Sequence, residues 1–183
     1  RIDSKREDLV SFTQDLVRIP TINPPGEDYT RCAEFLGRRL AKSGFSLLYE
    51  RAKDTPGDSD RYPRNNVIAR FEGKHSGPCV HFNSHLDVVV PGKGWSVDPF
   101  EGVVRDGKIF GRGTCDMKGF VASALAAGLH AARRDLQTPL HLAFSYDEEI
   151  GCIGVRSLVD MLREAPFKPA FCIVGEPTSM QVA

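Results

Sequence analysis

One histidine and three glutamates of this sequence stand shortly after apolar segments that are typical of buried strands. These side chains are His85, Glu148, Glu149 and Glu176. In open α/β sheets, functional sites gather at the carboxyl ends of the strands. If the three strands are parallel neighbours, the four side chains meet at one edge of the sheet. Histidine with carboxylates, and with no thiolate required, is the ligand set of a catalytic zinc or a similar divalent metal.

A glycine-rich segment, residues 111–119, supplies one more carboxylate, Asp116. Glycines mark backbone that bends sharply or approaches another group closely. Because a long helix-forming run follows, we expect Asp116 near a helix N-terminus, where the helix dipole favours negative charge. A carboxylate held in this way suits a bridge between two metal ions. The alternative interpretation is an N-cap aspartate after a glycine-rich turn.

The spacing within two motifs divides the chemical tasks between their residues. His85 and Asp87 are two residues apart, so on an extended segment both side chains face the same way and Asp87 can orient the imidazole. Glu148 and Glu149 are adjacent and cannot face the same way. We therefore expect one of the two glutamates to bind metal and the other to stay free as a general base.

Each motif also has a structural interpretation. The acidic run at 147–149 could be a solvated turn, and the segment 175–177 could be a turn without further function. The histidines outside the motifs are interpreted as structural: His75, His81, His130 and His141. A rival catalytic arrangement pairs Cys115, as a nucleophile, with His85. That arrangement would leave the three glutamates without a role.

Helical and strand patterns alternate along the chain, which predicts an α/β layer fold. Helices are predicted at about residues 4–19, 29–43, 120–134 and 154–164, strands at 45–50, 66–71, 79–83, 140–145 and 170–174, and a β-hairpin at 102–110. The last strand is fully apolar, which predicts a strand inside a covered sheet. The polar residues 52–65 predict an exposed loop.

Composition narrows the class of protein. The 183 residues carry 24 basic and 24 acidic side chains, so no charge excess points to nucleic acid or to an anionic membrane as partner. No apolar run approaches the ~20 residues of a membrane span, and no secretory signal opens the chain. Five widely spaced cysteines fit a reducing compartment. We expect one cytoplasmic domain.

Four motifs together resemble one known family. They occur in order at residues 84–87, 111–119, 147–151 and 175–178. The combination is similar to the M20 metallopeptidases, in the branch of acetylornithine deacetylase and succinyl-diaminopimelate desuccinylase. The segment 145–154 resembles the acetylornithine deacetylases in particular. The resemblance implies a zinc-exopeptidase-like catalytic domain, an α/β fold with a mixed, largely parallel central sheet and helices on both faces.

The resemblance also implies a site with two Zn²⁺ ions per subunit, for which Co²⁺ could substitute. One ion would be held by His85, Asp116 and Glu176, and the other by Asp116 and Glu149, with Asp116 as the bridge. Glu148 would be the general base and Asp87 would support the imidazole. A cis peptide bond is implied after the bridging aspartate.

The implied activity is removal of an acyl group from an N-acyl amino acid, most closely N-acetylornithine deacetylation in arginine biosynthesis. A metal-activated water would attack the amide, with Glu148 as general base. Succinyl-diaminopimelate desuccinylase is the first alternative, and a dipeptidase or aminopeptidase with the same metal site is the second. Outside enzymes, the alternative is an inactive relative that serves for binding.

Members of this family are considerably longer than 183 residues. After the motif that corresponds to 175–178 they insert a second domain, which dimerises, and then return to the catalytic domain with a final histidine. Residues 1–183 are therefore expected to form the N-terminal portion of the catalytic domain. The complete protein is expected to be a homodimer through the second domain, and the piece alone is expected to be poorly active.

Overall fold

The computed structural model describes residues 5–53, 55–165, 168–179 and 181–182. Its helices are α1 (Arg6–Val17), α2 (Tyr29–Ala41), α3 (Gly119–Ala131) and α4 (Gly154–Glu164). Its strands are β1 (Ser46–Arg51), β2 (Asn65–Phe71), β3 (Cys79–His85), β4 (Val103–Arg105), β5 (Lys108–Phe110), β6 (Leu140–Ser145) and β7 (Pro169–Val174). The predicted start of the first helix, Ser4, lies outside the described residues. None of the described helices is long and apolar enough to cross a membrane.

Five strands form the main sheet in the order β1-β2-β6-β3-β7. The pairs β6–β3 and β3–β7 are parallel, whereas β2 is antiparallel to both of its neighbours. Four of the five strands therefore run in one direction, and the sheet is mixed with a parallel half. This arrangement confirms the predicted sheet, and it places the ends of three strands side by side.

Alternating side chains of the strands build a core on each face of the sheet. On β6, all six residues are buried, with Leu142 and Phe144 in the larger cluster and Ala143 in the smaller one. The larger cluster packs against α1, α2 and α3, and the smaller one packs against Leu158 of α4. Helices thus cover both faces, as expected of a sheet with parallel strands.

The predicted strand at 170–174 is present as β7, but among the described residues it lies at the edge of the sheet rather than inside it. β7 pairs with β3 and, among the described residues, with no other strand. Phe171 is 55% exposed, and four further residues of the strand are exposed as well. A run of apolar residues indicates that a strand packs against a core, but it does not show whether the strand is central or at the edge of the sheet.

The predicted β-hairpin is present as β4 and β5, which pair from Val103 to Phe110. The two residues between the strands, Asp106 and Gly107, have φ angles of 52° and 72°. Positive φ at both central positions is the geometry that two-residue hairpins favour. The hairpin leads directly into the glycine-rich segment with Asp116 and so brings this segment to the sheet edge.

Candidate metal centre

Strand order brings three of the predicted site segments together. His85 is the last residue of β3 and lies level with Ser145, the last residue of β6. On the other side of β3, Asn83 lies level with Val174 of β7. Glu176, two residues further along the chain, therefore reaches the level of His85. The strand β3 is two residues longer than predicted, so the histidine belongs to the rigid sheet rather than to a loop.

Asp116 comes to the same place on a wide turn. Residues Thr114–Lys118 form a kinked turn before α3, with non-helical dihedral angles at Asp116 and Met117. The peptide bond between these two residues is cis, which confirms the predicted isomer. The N-cap of α3 is Lys118, with no side-chain capping hydrogen bond. The N-cap interpretation of Asp116 is therefore wrong.

Two buried side chains next to Asp116 anchor this turn. The thioether of Met117 accepts a hydrogen bond from the backbone N–H of His85 at 3.2 Å. The ammonium of Lys118 donates to the carbonyls of Leu16 and Ile19 at 3.1 and 2.6 Å, at the end of α1. The aspartate is thus fixed between the strand that carries the histidine and the first helix.

The ligand atoms of His85, Asp116 and Glu176 lie within 4.8 Å of one another. The imidazole Nε2 is 3.0 Å from Oδ1 of Asp116 and 3.8 Å from a carboxylate oxygen of both Glu148 and Glu176. The imidazole is buried, whereas the carboxylates are partly exposed. The carboxylates of Glu148 and Glu176 line a cavity of about 250 Å³ whose lining also includes Cys152.

The charges of the site interact strongly. Burial alone would lower the pKa of His85, but the hydrogen bond and charge of Asp87 and the charge of Glu176 outweigh it and raise the pKa to about 9. Burial and the charge of Asp116 raise the pKa of Glu149 and of Glu176. Carboxylates that repel one another beside a buried imidazole form an environment that a cation stabilises.

The donor set fits zinc or a similar divalent ion. One imidazole and two carboxylates, with an open cavity beside them, match a catalytic zinc with three protein ligands. Glu149 lies outside this group of three, although the charge of Asp116 contributes to its raised pKa. The structure therefore assembles one set of three donors and leaves the predicted second set at two residues, Asp116 and Glu149.

Asp87 contacts the histidine mainly through its backbone. The Nδ1 atom of His85 is 2.9 Å from the carbonyl oxygen of Asp87 and 3.5 Å from its carboxylate. The same carboxylate, which is fully buried, accepts the backbone N–H groups of Glu148 and Glu149 at 3.1 and 3.0 Å. Asp87 thus joins the imidazole to the turn that carries the two glutamates.

Sequence reasoning missed the residues behind this turn. Asp147 is buried, and its carboxylate accepts hydrogen bonds from Asn23, Tyr29 and Arg64. The prediction of an exposed loop at 52–65 is wrong at Arg64, which is 2% exposed. A single arginine in a polar segment carries no periodic signal, and its partner is 83 residues away.

The cysteine alternative has no support in the geometry. Cys115 is exposed, and no hydrogen bond joins it to His85 within the part of the chain that the structure describes. A different thiol, Cys152, donates to Oε1 of Glu148 at 3.2 Å. The histidines predicted to be structural lie outside the group of three donors.

Known proteins with similar sequences are metallopeptidases and related hydrolases. The family model described as "Peptidase family M20/M25/M40" matches residues 81–183. A succinyl-diaminopimelate desuccinylase from Granulibacter bethesdensis is 37% identical over 174 residues, which are 94% of this chain and 42% of that protein. The enzyme of the same name from Zymomonas mobilis is 39% identical over 176 residues, 95% of this chain and 44% of that protein. The chain thus spans less than half of the length of these curated relatives.

Solved structures share the fold. Human carnosine dipeptidase 1 superposes with a TM-score of 0.80 at 22% identity, covering 94% of this chain and 39% of that one. The M20 family metallo-carboxypeptidase Sso-CP2 from Sulfolobus solfataricus gives a TM-score of 0.74 at 21% identity, covering 91% of this chain and 37% of that one. At these identities the likeness concerns the fold alone.

Proposed function

Because this chain belongs to peptidase family M20/M25/M40, we propose that the complete protein is a metal-dependent hydrolase that cleaves the amide bond of an N-acyl amino acid. The observation that carries the proposal is the convergence of His85, Asp116 and Glu176 at the carboxyl end of β3. The carboxylate of Glu148 lies 3.8 Å from the imidazole of His85. A non-catalytic binding protein would have no need of a free carboxylate beside three metal donors.

The residues divide the reaction among themselves. His85, Asp116 and Glu176 would hold a Zn²⁺ ion, with Co²⁺ as a possible substitute, and Asp116 with Glu149 would contribute to a second site. Zinc supplies a Lewis acid that polarises the amide carbonyl and lowers the pKa of water. Glu148 takes a proton from the attacking water and delivers it to the nitrogen of the leaving amine. Asp87 keeps the imidazole in place.

The names of the relatives guide the choice of substrate. Both desuccinylases named above match nearly the whole of this chain. We therefore propose N-succinyl-diaminopimelate as the first candidate substrate, ahead of N-acetylornithine, for which the support is the sequence at Thr114-Cys115 and at 145–154. A dipeptide is the third candidate, because the structural neighbours include a dipeptidase.

The test is a comparison of these three substrates with the complete protein. Its zinc-loaded form should hydrolyse N-succinyl-diaminopimelate with a kcat/KM at least roughly tenfold above that for N-acetylornithine or a dipeptide. Treatment with a chelator should abolish turnover, and added Zn²⁺ should restore it. A higher kcat/KM for another substrate overturns the substrate assignment. If the zinc-loaded protein turns over none of the three substrates, the proposal that it is a hydrolase is overturned.

A further inference from the structure

Asp147 has a buried carboxylate that lies behind the site and forms an ion pair with the guanidinium of Arg64. Its Oδ2 atom accepts a hydrogen bond from Nε of Arg64 at 2.9 Å, and the two side chains are 0% and 3% exposed. Its Oδ1 atom accepts from the hydroxyl of Tyr29 at 2.8 Å and from the amide of Asn23 at 3.0 Å. This ion pair lies outside the donor group and has no part in the steps proposed above.

The guanidinium of Arg64 is enclosed on several sides. It lies over the ring of Tyr29, 5.3 Å from the ring centroid, and donates to the carbonyl of Tyr62 at 3.0 Å. A Cβ atom at Gly26 would be 2.3 Å from one of its nitrogens, and a Cβ atom at Gly57 would be 2.7 Å from another. Two glycines thus make room for the arginine, so its position is defined by the surrounding backbone.

The ion pair is linked in two ways to residues 147–149, the turn that carries Glu148 and Glu149 and is called the catalytic turn below. Asp147 directly precedes Glu148 and holds a φ angle of 50°, a left-handed conformation that is uncommon for residues other than glycine. The amide of Asn23 also donates to the carboxylate of Asp87 at 3.3 Å. Asp87 in turn accepts the N–H groups of Glu148 and Glu149. The backbone at 147–149 is therefore fixed at three successive residues.

We propose that Arg64 and Asp147 are positioning residues for the reaction, because their buried ion pair fixes the turn from which the carboxylates of Glu148 and Glu149 extend. The inference rests on the proposed function. Neither residue touches the reacting atoms, and the effect is transmitted through the backbone of the turn. The alternative is that the pair only stabilises the fold, in which case a folded variant without it would retain the native site.

Arg64→Gln in the complete protein tests the inference. At temperatures well below unfolding, kcat for the preferred substrate should fall roughly 10- to 100-fold while KM changes less than about twofold, because displaced catalytic groups lower kcat at unchanged binding. Arg64→Lys, which keeps the charge, should recover part of kcat. Arg39→Gln is the matched control, since Arg39 also pairs with an aspartate, Asp15, and stacks on aromatic rings away from the site. It should retain parental kcat.

Cobalt gives a readout that needs no turnover. In Arg64→Gln, the visible spectrum of bound Co²⁺ should change for the ion that involves Glu149, whereas binding at the His85, Asp116 and Glu176 group should persist. If the unmodified protein hydrolyses no amide, the proposed function fails, but the spectrum still decides whether the pair positions the turn. Parental kcat and an unchanged spectrum in folded Arg64→Gln would overturn the inference.

A milder variant covers the case in which Arg64→Gln does not fold. Tyr29→Phe removes one hydrogen bond to Asp147 and leaves the ion pair in place. Its kcat should fall roughly 3- to 10-fold at unchanged KM. Parental kcat with an unchanged cobalt spectrum in both Tyr29→Phe and folded Arg64→Lys would overturn the inference, because each variant weakens the set of bonds that holds Asp147.

Discussion

Glu148 and Glu149 differ in surroundings although they are neighbours in sequence. Glu148 lies 3.8 Å from the imidazole and accepts a hydrogen bond from Cys152, whereas the pKa of Glu149 is raised by burial and by the charge of Asp116. We propose that the first carboxylate exchanges protons with a substrate in the cavity. We propose that the second shares a cation with Asp116.

Glutamine substitutions separate these two roles in the complete protein. Glu148→Gln should retain the metal content and lower the turnover rate by roughly 10²- to 10⁴-fold or more, because the proton acceptor is lost. Glu149→Gln should weaken one of the two metal ions. Metal analysis and steady-state kinetics on both variants measure the difference. Metal loss in Glu148→Gln together with full metal content in Glu149→Gln would reverse the assignment.

Buried histidines away from the site predict an acid-sensitive fold. Burial and the charge of Arg70 lower the pKa of His141 from 6.5 to about 4, and burial lowers the pKa of His81. Between pH 6.5 and 4, the unfolded chain therefore binds more protons than the folded one at these positions. The free energy of unfolding should fall as the pH drops through this range, by roughly 2–3 kcal/mol for His141.

Urea unfolding of the parent and of His141→Gln at pH 7 and pH 4.5 measures this contribution. The carboxylates titrate in both proteins, so the difference between the two pH dependences isolates the histidine. The variant should lose less stability than the parent on acidification. Equal losses in both proteins would contradict the prediction.

At the residue scale, the sequence predicted which side chains come together but not the residues that support them. His85, Glu148 and Glu176 could be found because each follows an apolar strand, and strand ends collect functional groups. The partners of Asp147 could not be found, since hydrogen bonds between residues that are 83 or more positions apart leave no local pattern. Only the folded chain brings Arg64 to the turn.

At the scale of elements, the start of α4 packs closely against the end of β6. Gly154, its first residue, lies against the end of β6, where an added Cβ atom would be 2.0 Å from the carbonyl oxygen of Tyr146. The carbonyl of Gly154 also accepts a hydrogen bond from Asn66 of β2 at 3.0 Å. The first residue of α4 therefore contacts backbone atoms at the end of β6, and these atoms cannot move aside as a flexible side chain could.

Gly154→Ala should destabilise the protein by about 1–3 kcal/mol, because the helix must shift to relieve the overlap. Gly77→Ala is the control, since no heavy atom lies within 4 Å of the Cβ position there, and it should change stability by less than about 0.5 kcal/mol. Denaturant unfolding at neutral pH compares the two. Equal stability of both variants would show that α4 docks less tightly than described.

Periodicity predicted most elements to within a few residues, including the hairpin. It did not give the place of β7 in the sheet, because an apolar segment has the same pattern at the centre and at the edge, and only strand order among the described residues distinguishes the two. It also missed that β3 extends to His85, because polar residues at the end of a strand resemble the start of a loop.

At the scale of the whole molecule, one donor group is assembled more fully than the other. Within the described part of the chain, His85, Asp116 and Glu176 form the one group of three candidate ligands. The second predicted site has two protein ligands here, fewer than the three of a typical catalytic zinc. The parallel pairing of β3 with β7 brings His85 and Glu176 together, and the turn before α3 adds Asp116.

We therefore expect the 183-residue chain alone to hold about one Zn²⁺ ion tightly, with a second ion weak or absent. Equilibrium dialysis with metal analysis gives the stoichiometry. Hydrolysis of the preferred substrate should be much slower than by the complete protein, because groups that orient the substrate can contribute several kcal/mol to catalysis. Two tightly held ions together with the turnover of the complete protein would contradict this expectation.

The carboxylate of Asp87 has a consequence for hydrogen exchange. Backbone amides in turns usually exchange quickly with deuterated solvent, because local opening costs little there. The amides of Glu148 and Glu149 instead donate to a carboxylate that is 0% exposed, so they should exchange as slowly as amides of the sheet. Deuterium uptake at these two positions would then measure how often the catalytic turn detaches from the strand edge, without any substrate present.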